Sequence, residues 1–248
     1  MDLIKITADN IEEEHICCAI ANNKDCQVAA KKSWLKERLP EGLVFLKGNV
    51  RGKCFIEYIP AEYAWAPVEA DGYMYIDCFW VAGQLKGQGY SNKLLEECIR
   101  DSREKGKKGL CMLSSSGRKK KPFAIEPDYL KYKGFEIADE AEDDFALWYL
   151  PFEKTDLKPC FKPQAKHPHV EEKGFVLYYT HQCPFTVKYV PLLEEAAREK
   201  KVPFKSIFVD SLEKAKNVPA PTANYALFQD GKFVTNEILS AKKFIGML

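Results

Sequence analysis

Between an apolar run and an apparent helix lies Gln84-Leu85-Lys86-Gly87-Gln88-Gly89, followed by Tyr90 and Ser91. Closely spaced glycines let a backbone curl until successive amides face one anion, and the positive end of a following helix adds to the attraction. The chemistry on offer is phosphate binding, and spacing decides whose phosphate. A dinucleotide fingerprint needs GxGxxG in the first strand-turn-helix of a βαβ unit. Here the third position is Asn92, and three strands precede the one that enters the turn. A Walker loop needs GxxxxGK and then Ser or Thr, a pattern that is absent. What survives is Q/R-x-x-G-x-G/A between a strand and a helix.

The elements that must position this turn follow from periodicity. "LIKIT" reads as a strand, and Asp9 or Asn10 is placed to cap a helix begun by "IEEEHICCAI". "KDCQVAAKKSWLKERL" is a second amphipathic helix, closed by Pro40 and Gly42. Strands follow at "GLVFLK", "GKCFIEYIP" and "YMYIDCFWV", then a helix over "SNKLLEECIRDSREKG". A strand "GLCMLSS", a basic loop "GRKKKPF", a short helix "PDYLKYK" ended by Gly134, and strands "FEIAD" and "FALWYL" complete the unit.

The chain has 248 residues, 46% hydrophobic and 29% charged, with a formal net charge of +1. That balance describes a globular protein with no electrostatic case for nucleic acid. No apolar run is long enough to span a bilayer, and "MDLIKITADNIEEEH" has acids where a secretory signal would need basic and then apolar residues. Nine cysteines without a CxxC pair leave neither a zinc ribbon nor a dithiol motif, so no metal is expected. A reducing, cytoplasmic setting suits them as small buried apolar residues. Residues 150–174 carry four prolines and alternating charges, an extended stretch poorly suited to a core. The expected division is 1–152, a proline-rich linker over 153–172, and 173–248.

The six-residue pattern, in this element order, resembles the acetyl-CoA cradle of the GNAT family of N-acetyltransferases. "EYIPAEYAW" with "YMYIDCFWVAGQLKGQGYSNKLLEEC" is similar to the bacterial members that carry a YoaP-like tail. The resemblance implies an α/β (α+β) fold: a mixed, mostly antiparallel sheet with flanking helices, and a small second domain. It implies that the strand before the cradle splays from its neighbour and that coenzyme A lies in the cleft. Backbone groups near Phe79, Trp80 and Val81 would bind the pantetheine arm and polarise the thioester carbonyl. Amides of Gln84, Leu85, Lys86, Gly87, Gln88, Gly89, Tyr90 and Ser91 would hold the pyrophosphate. Direct attack by a primary amine, from a small molecule or a peptide, needs a base and a proton for the leaving thiolate.

Asp77 is the only acid in the central strand and Glu57 lies on the preceding one, so each is a candidate base, directly or through water. Either reads equally as a solvated strand position or a structural ion pair. The family often has a tyrosine four residues before the glycine that ends the short helix, where this chain has Leu130. Of the flanking Tyr129 and Tyr132, Tyr129 is the candidate acid. Arg118 to Lys121 read as a solvated loop, with a contact to the coenzyme's 3′-phosphate as the alternative. The aromatic stretch from Glu57 to Asp77 suits either a substrate-side surface or packing over the sheet.

After the linker, "GFVLYYTHQCPFTVKYVPLLEEAAREKK" reads strand, turn, helix. A strand, a short helical segment, a hairpin at Asp230-Gly231 and a closing helix follow. That order looks thioredoxin-like. Cys183 and Thr186 stand where the CxxC pair of such domains would be, Pro191 lies within the helix, and Pro221 before Thr222 matches a cis-proline segment. A helix start and a protonated His181 would favour a Cys183 thiolate. With Thr186 in place of a second cysteine, the readings are a monothiol site for glutathione or mixed disulfides, or a domain kept for binding. Beside acetyl transfer stand two rivals: a thiol-redox protein, and a non-catalytic coenzyme A binder.

Overall fold

Alternating side chains sort each strand onto two faces, and two sheets result. The computed structural model describes residues 2–16, 18, 24–119, 121 and 124–248. In chain order the elements are β1 (Leu3–Lys5), α1 (Cys26–Arg38), β2 (Val44–Gly48), β3 (Cys54–Pro60), β4 (Val68–Glu69), β5 (Tyr73–Val81), α2 (Tyr90–Glu104) and β6 (Gly109–Ser115). Then come α3 (Pro127–Tyr132), β7 (Glu136–Ala141), β8 (Phe145–Pro151), β9 (Cys160–Phe161) and α4 (Pro163–Lys166). The chain ends with β10 (Phe175–Tyr179), α5 (Phe185–Lys200), β11 (Phe204–Phe208), α6 (Leu212–Lys216), β12 (Tyr225–Gln229), β13 (Lys232–Thr235) and α7 (Ala241–Ile245).

The larger sheet runs β1-β2-β3-β5-β6-β8-β7. Every neighbouring pair is antiparallel except β5 and β6. That exception is short: Tyr73, Met74 and Tyr75 pair with Gly109, Leu110 and Cys111, and there the ladder stops. Beyond it β5 pairs only with β3, and β6 only with β8. The two strands part and leave a wedge between them. This is the mixed, mostly antiparallel α/β architecture with flanking helices that the resemblance implies.

Period-two alternation gives the sheet two apolar faces. Val44, Ile56, Met74, Ile76 and Met112 pack under α2 and α3, whose Leu94, Leu95, Cys98 and Leu130 are buried there. Phe45, Phe55, Tyr73, Tyr75 and Phe145 point to the other side. Those side chains do not meet solvent. They share one cluster with Val176, Ala226 and Phe228 of the smaller sheet, whose order is β11-β10-β12-β13. That sheet's second face packs Phe175, Leu177 and Tyr225 against α5 and α7, through Val190, Leu193 and Phe244. An edge-on ring contact between Phe145 and Phe233, centroids 5.6 Å apart, ties the two sheets directly.

Several expectations hold in detail. Gly42 closes the turn after α1 at φ +92°, and Asp25, a cap the sequence reading did not single out, accepts the Gln27 amide at its start. Asp230 and Gly231 both have positive φ, 49° and 88°, as a two-residue hairpin turn of this kind requires. Pro191 lies inside α5.

Others do not. Of the expected first helix, residues 11–14 form a turn and a bend and residues 15–16 are irregular, while positions 17, 19 and 20 lie outside the described residues. The Asn10 side chain accepts the Thr7 amide at 2.8 Å and donates to the Lys5 carbonyl at 3.0 Å. Such local side-chain bonds compete with a helix, and burial of Ile11 and Ile16 fixes the turn. The proline-rich stretch is no loose tether either. Cys160 and Phe161 pair with Glu69 and Val68, and Phe161, Ala165 and Val170 are buried. Asp139 accepts the Phe161 amide and pairs with Lys166. Among the described residues no peptide bond is cis, so the bond before Pro221 is trans. No described helix is long and apolar enough to cross a membrane.

One apolar cluster running through both sheets leaves no weak plane between them. Calorimetry of the full chain is expected to give a single unfolding transition; two separated transitions would refute this continuity.

Candidate active site

The wedge between β5 and β6 begins where β5 carries an irregularity. Glu57 on β3 faces Cys78, and the next residue, Tyr58, faces Ile76. Asp77 is therefore the extra residue of a bulge, a device that re-aims side chains beside functional sites. Alternation would send Asp77 and Cys78 to opposite faces; the bulge instead lets both line one cavity with Glu57 and Trp80. The cavity measures about 190 Å³, and its other wall is the segment around Gln182 and Cys183 and the stretch from Thr222 to Tyr225.

Its charged floor is assembled from three parts of the chain. The Lys31 ammonium, on α1, lies 2.8 and 2.6 Å from the two carboxylate oxygens of Glu57, and donates to the Gln182 carbonyl at 2.8 Å. The Lys31 and Glu57 side chains are 2% and 0% exposed. Burial alone would favour a neutral lysine, but the Glu57 carboxylate wins and holds the ammonium charged, above its ordinary range. Asp77 is left without a full cation of its own. Burial, reinforced by the negative charge of Glu57, pushes its carboxyl well above the usual carboxylate range; Lys31 and a hydrogen bond with the Gln182 side chain oppose the shift without reversing it. One lysine serves two carboxyls, so the second is driven towards its neutral form.

The cradle is built differently. Gly83, Gly87 and Gly89 have φ of +61°, +75° and +78°, a region costly for residues with a Cβ. A Cβ at any of them would meet open space, so backbone shape and not crowding selects glycine here. Gly89 is the N-cap of α2 and supplies no side-chain cap. The amides of Gly87, Gln88 and Gly89 make no close hydrogen bond among the described residues. These donors, the helix N-terminus and the unpaired edge of β5 from Ile76 to Val81 form one continuous surface suited to an anion joined to an extended polar chain. The residues fit coenzyme A.

The remaining expected site residues fall into three places. Phe79 is buried on the α2 face, its ring centroid 6.2 Å from that of Tyr129. Tyr129, its hydroxyl pushed up by burial and drawn down by Ser91, thus stands beside the start of α2. Asp77 and Glu57 face the opposite side of the sheet, so the wedge alone connects them to Tyr129. Leu130 is buried core. Of the basic loop, Arg118 is paired with Asp144 and Glu140, Asp144 also accepts the Lys119 amide, and Lys120 lies outside the described residues.

Cys183 reaches the cavity, but its chemistry differs from expectation. Burial pushes its thiol up, and the Phe185 amide and Lys31 offset only part of the shift. His181 does not assist: burial lowers its affinity for a proton, and its ring packs on Phe208 with centroids 4.4 Å apart. The Thr186 hydroxyl donates to the carbonyls of Thr180 and Cys183 at 2.6 and 2.8 Å, bracing the turn. Asn224 accepts the Cys183 amide at 3.1 Å. No group of three or more potential metal ligands occurs among the described residues.

Lys31, Cys78 and Gln182 escaped the reading of the sequence. A signal existed for Lys31, which stands three residues after Val28 and four before Leu35, on the apolar stripe of α1. For Gln182 there was none, because its partner is 151 residues away.

A family model described as YoaP-like matches residues 203–245. The uncharacterized N-acetyltransferase YoaP of Bacillus subtilis (strain 168) is 42% identical over 249 aligned residues, spanning 100% of this chain and 98% of that protein. Among solved structures, a ribosomal-protein-alanine N-acetyltransferase from Brucella melitensis aligns with a TM-score of 0.43 at 17% identity, over 61% of this chain and 100% of that one. A GNAT family acetyltransferase from Brucella melitensis, solved with acetyl-CoA, aligns with a TM-score of 0.40 at 15% identity, over 63% and 91%.

Breaking the buried ion pair from one side is expected to be severe. Lys31→Met leaves Glu57 without its cation and should lower the unfolding free energy by about 3–5 kcal/mol in urea titrations, much of it recovered by adding Glu57→Leu. A loss below about 1 kcal/mol would show the pair to be dispensable. Asp77 yields a second expectation, opposite in sign to that of a salt-bridged aspartate. The folded state keeps a proton that the unfolded chain releases above about pH 4, so stability falls as the pH climbs through that range towards the raised folded value. Asp77→Asn removes the titration. Its melting temperature should gain on the parent's as the pH rises above about 4, and a pH-independent difference would contradict the assignment.

Proposed function

We propose that this chain, which belongs to the YoaP-like family of N-acetyltransferases, transfers an acetyl group from acetyl-CoA to a primary amine. The observation that carries the reading is the strand edge released where β5 leaves β6, ending on three left-handed glycines and an uncapped helix. Acetyl-CoA supplies the activated acyl group. The amides from Gln84 to Ser91 hold its pyrophosphate, and the edge near Phe79, Trp80 and Val81 aligns the pantetheine arm and polarises the thioester carbonyl.

Asp77 and Glu57 receive the amine on the far side of the wedge. An amine entering as its ammonium beside Asp77 favours release of the proton held there to solvent, and the Asp77 carboxylate then takes the proton that the amine must lose. Tyr129, next to Ser91 on the other face, is the residue positioned to return a proton to the departing thiolate. Water has little access to the cavity floor, which strengthens each of these interactions.

Residues 173–248 form the accessory domain of this proposal, with 1–152 as the transferase domain and 153–172 as the docked connection. The β10-α5-β11-α6-β12-β13-α7 succession supports a thioredoxin-like reading of the tail. Monothiol redox chemistry finds less support, since burial keeps Cys183 protonated and Thr186 braces the turn. A cytoplasmic setting belongs to the same proposal, supported by eight described cysteines that form no disulfide.

Isothermal titration of the reduced protein with acetyl-CoA tests the cradle. Micromolar binding is expected, weakened at least about tenfold by Gly89→Trp, whose ring would occupy the open space next to the turn. Absence of binding to the parent protein, or equal binding by the variant, would reject the proposal.

A further inference from the structure

The acceptor side of the wedge is narrow. One wall, its roof, is the turn from Gln182 to Pro184 with the stretch from Thr222 to Tyr225. Both belong to the smaller sheet's portion of the chain, more than 100 residues from the bulge. The roof is fastened at the charged floor itself. The Gln182 carbonyl accepts from the Lys31 ammonium, and the Asn224 side chain holds the Cys183 amide and the Thr180 hydroxyl, both at 3.1 Å. Lifting it would strip Lys31 of a buried partner and open the apolar cluster that contains Phe145, Val176 and Phe228. Both changes are costly.

We infer that the C-terminal portion completes the acceptor site, and that the acceptor is a small primary amine held as its ammonium beneath Gln182 and Thr222 and not a lysine or amino terminus of a polypeptide. The inference rests on the acetyl-transfer reading and adds the substrate class to it. Size sets the first bound. A cavity of about 190 Å³ exceeds the roughly 150 Å³ that holds a benzene ring and falls short of the roughly 300–1,000 Å³ of drug-sized sites. Charge sets the second. Lys31 balances Glu57, and an entering ammonium gives Asp77 a cation of its own, which favours its carboxylate over its neutral form. The walls set the third. Phe55, Tyr75 and Trp80 present ring surface to the same space, favourable both to a cation and to an apolar body attached to it. The roof thereby acts as a filter: it admits what fits whole, and it excludes a chain that must continue past the reacting nitrogen.

The test uses the full-length protein with acetyl-CoA and three probes: 2-phenylethylamine, 1,5-diaminopentane and a lysine-containing peptide. At least one small amine is expected to be acetylated, with the peptide turned over roughly 100-fold less efficiently in kcat/KM. Thr222→Trp and, separately, Ile238→Phe place bulk on the roof, remote from the glycine turn. Each is expected to raise the KM for the small amine roughly tenfold or more while the acetyl-CoA Kd, which also reports folding, stays within about twofold. Failure of the parent protein to bind acetyl-CoA removes the acetyl-transfer reading and this inference with it. Intact acetyl-CoA binding overturns the inference alone if the peptide is the better substrate, if neither small amine is acetylated, or if both fillers leave the amine KM unchanged.

Discussion

The Lys31 ammonium holds the molecule together at the point where it would do chemistry. It is the only described contact that joins α1, the β3 carboxylate and the turn before α5 through one atom. Withdrawing an ammonium and a carboxylate from water costs several kcal/mol per ion, and their mutual attraction returns that only with close geometry and further hydrogen bonds. Here both carboxylate oxygens and a backbone carbonyl meet the same nitrogen. A hydrophobic pair could be as stable at this position. It could not fix the Gln182 turn at one height above the carboxyls, because apolar contacts carry no direction. The arrangement specifies position more than it adds stability.

Position matters because the bulge and the ion pair act on each other. The bulge brings Cys78 to the same side as Asp77 and Glu57, and the pairing of Glu57 with Lys31 denies Asp77 a cation. A regular strand would have left Cys78 on the other face. By interrupting the sheet, the chain obtains an unpaired edge and a proton-holding carboxyl within a few residues of each other. The wedge has two different walls as a consequence. Glycine backbone and helix N-terminus face one end, and a buried acid pair faces the other.

Much of this was legible in the sequence where local rules decide the outcome. Gly87 and Gly89 can adopt positive φ at little cost, which a tight turn before a helix needs, and Asp230-Gly231 makes its hairpin from its own backbone preferences. The leucines of α2 declare one buried face. Legibility failed where distant residues decide. "IEEEHICCAI" has helical spacing, yet Asn10 and the burial of Ile11 and Ile16 keep its described part out of a helix, with Lys32 gripping the Glu12 carbonyl. The prolines of 150–174 do prevent long elements, but a two-residue strand suffices to seat Phe161 in the core. Lys31 reads as a surface lysine until its partner 26 residues on is known.

Cys183 shows how a local rule is overruled by its surroundings. It stands just before α5, where a helix N-terminus favours a thiolate by about 0.3–1 kcal/mol when exposed, and up to about 2 kcal/mol when partly buried. Desolvation of a buried thiol opposes ionisation with effects of up to about 3–5 pK units, several kcal/mol. In this cavity Glu57 adds a negative charge on the same side of the balance, while His181 faces Phe208 and brings no positive one. Desolvation prevails and the thiol keeps its proton. A strand-to-helix turn of this shape can therefore serve as a wall, presenting a backbone carbonyl and a small neutral sulfur to the space above Asp77. Its value there lies in closing the site, which needs the geometry of a thiol-active turn without its reactivity.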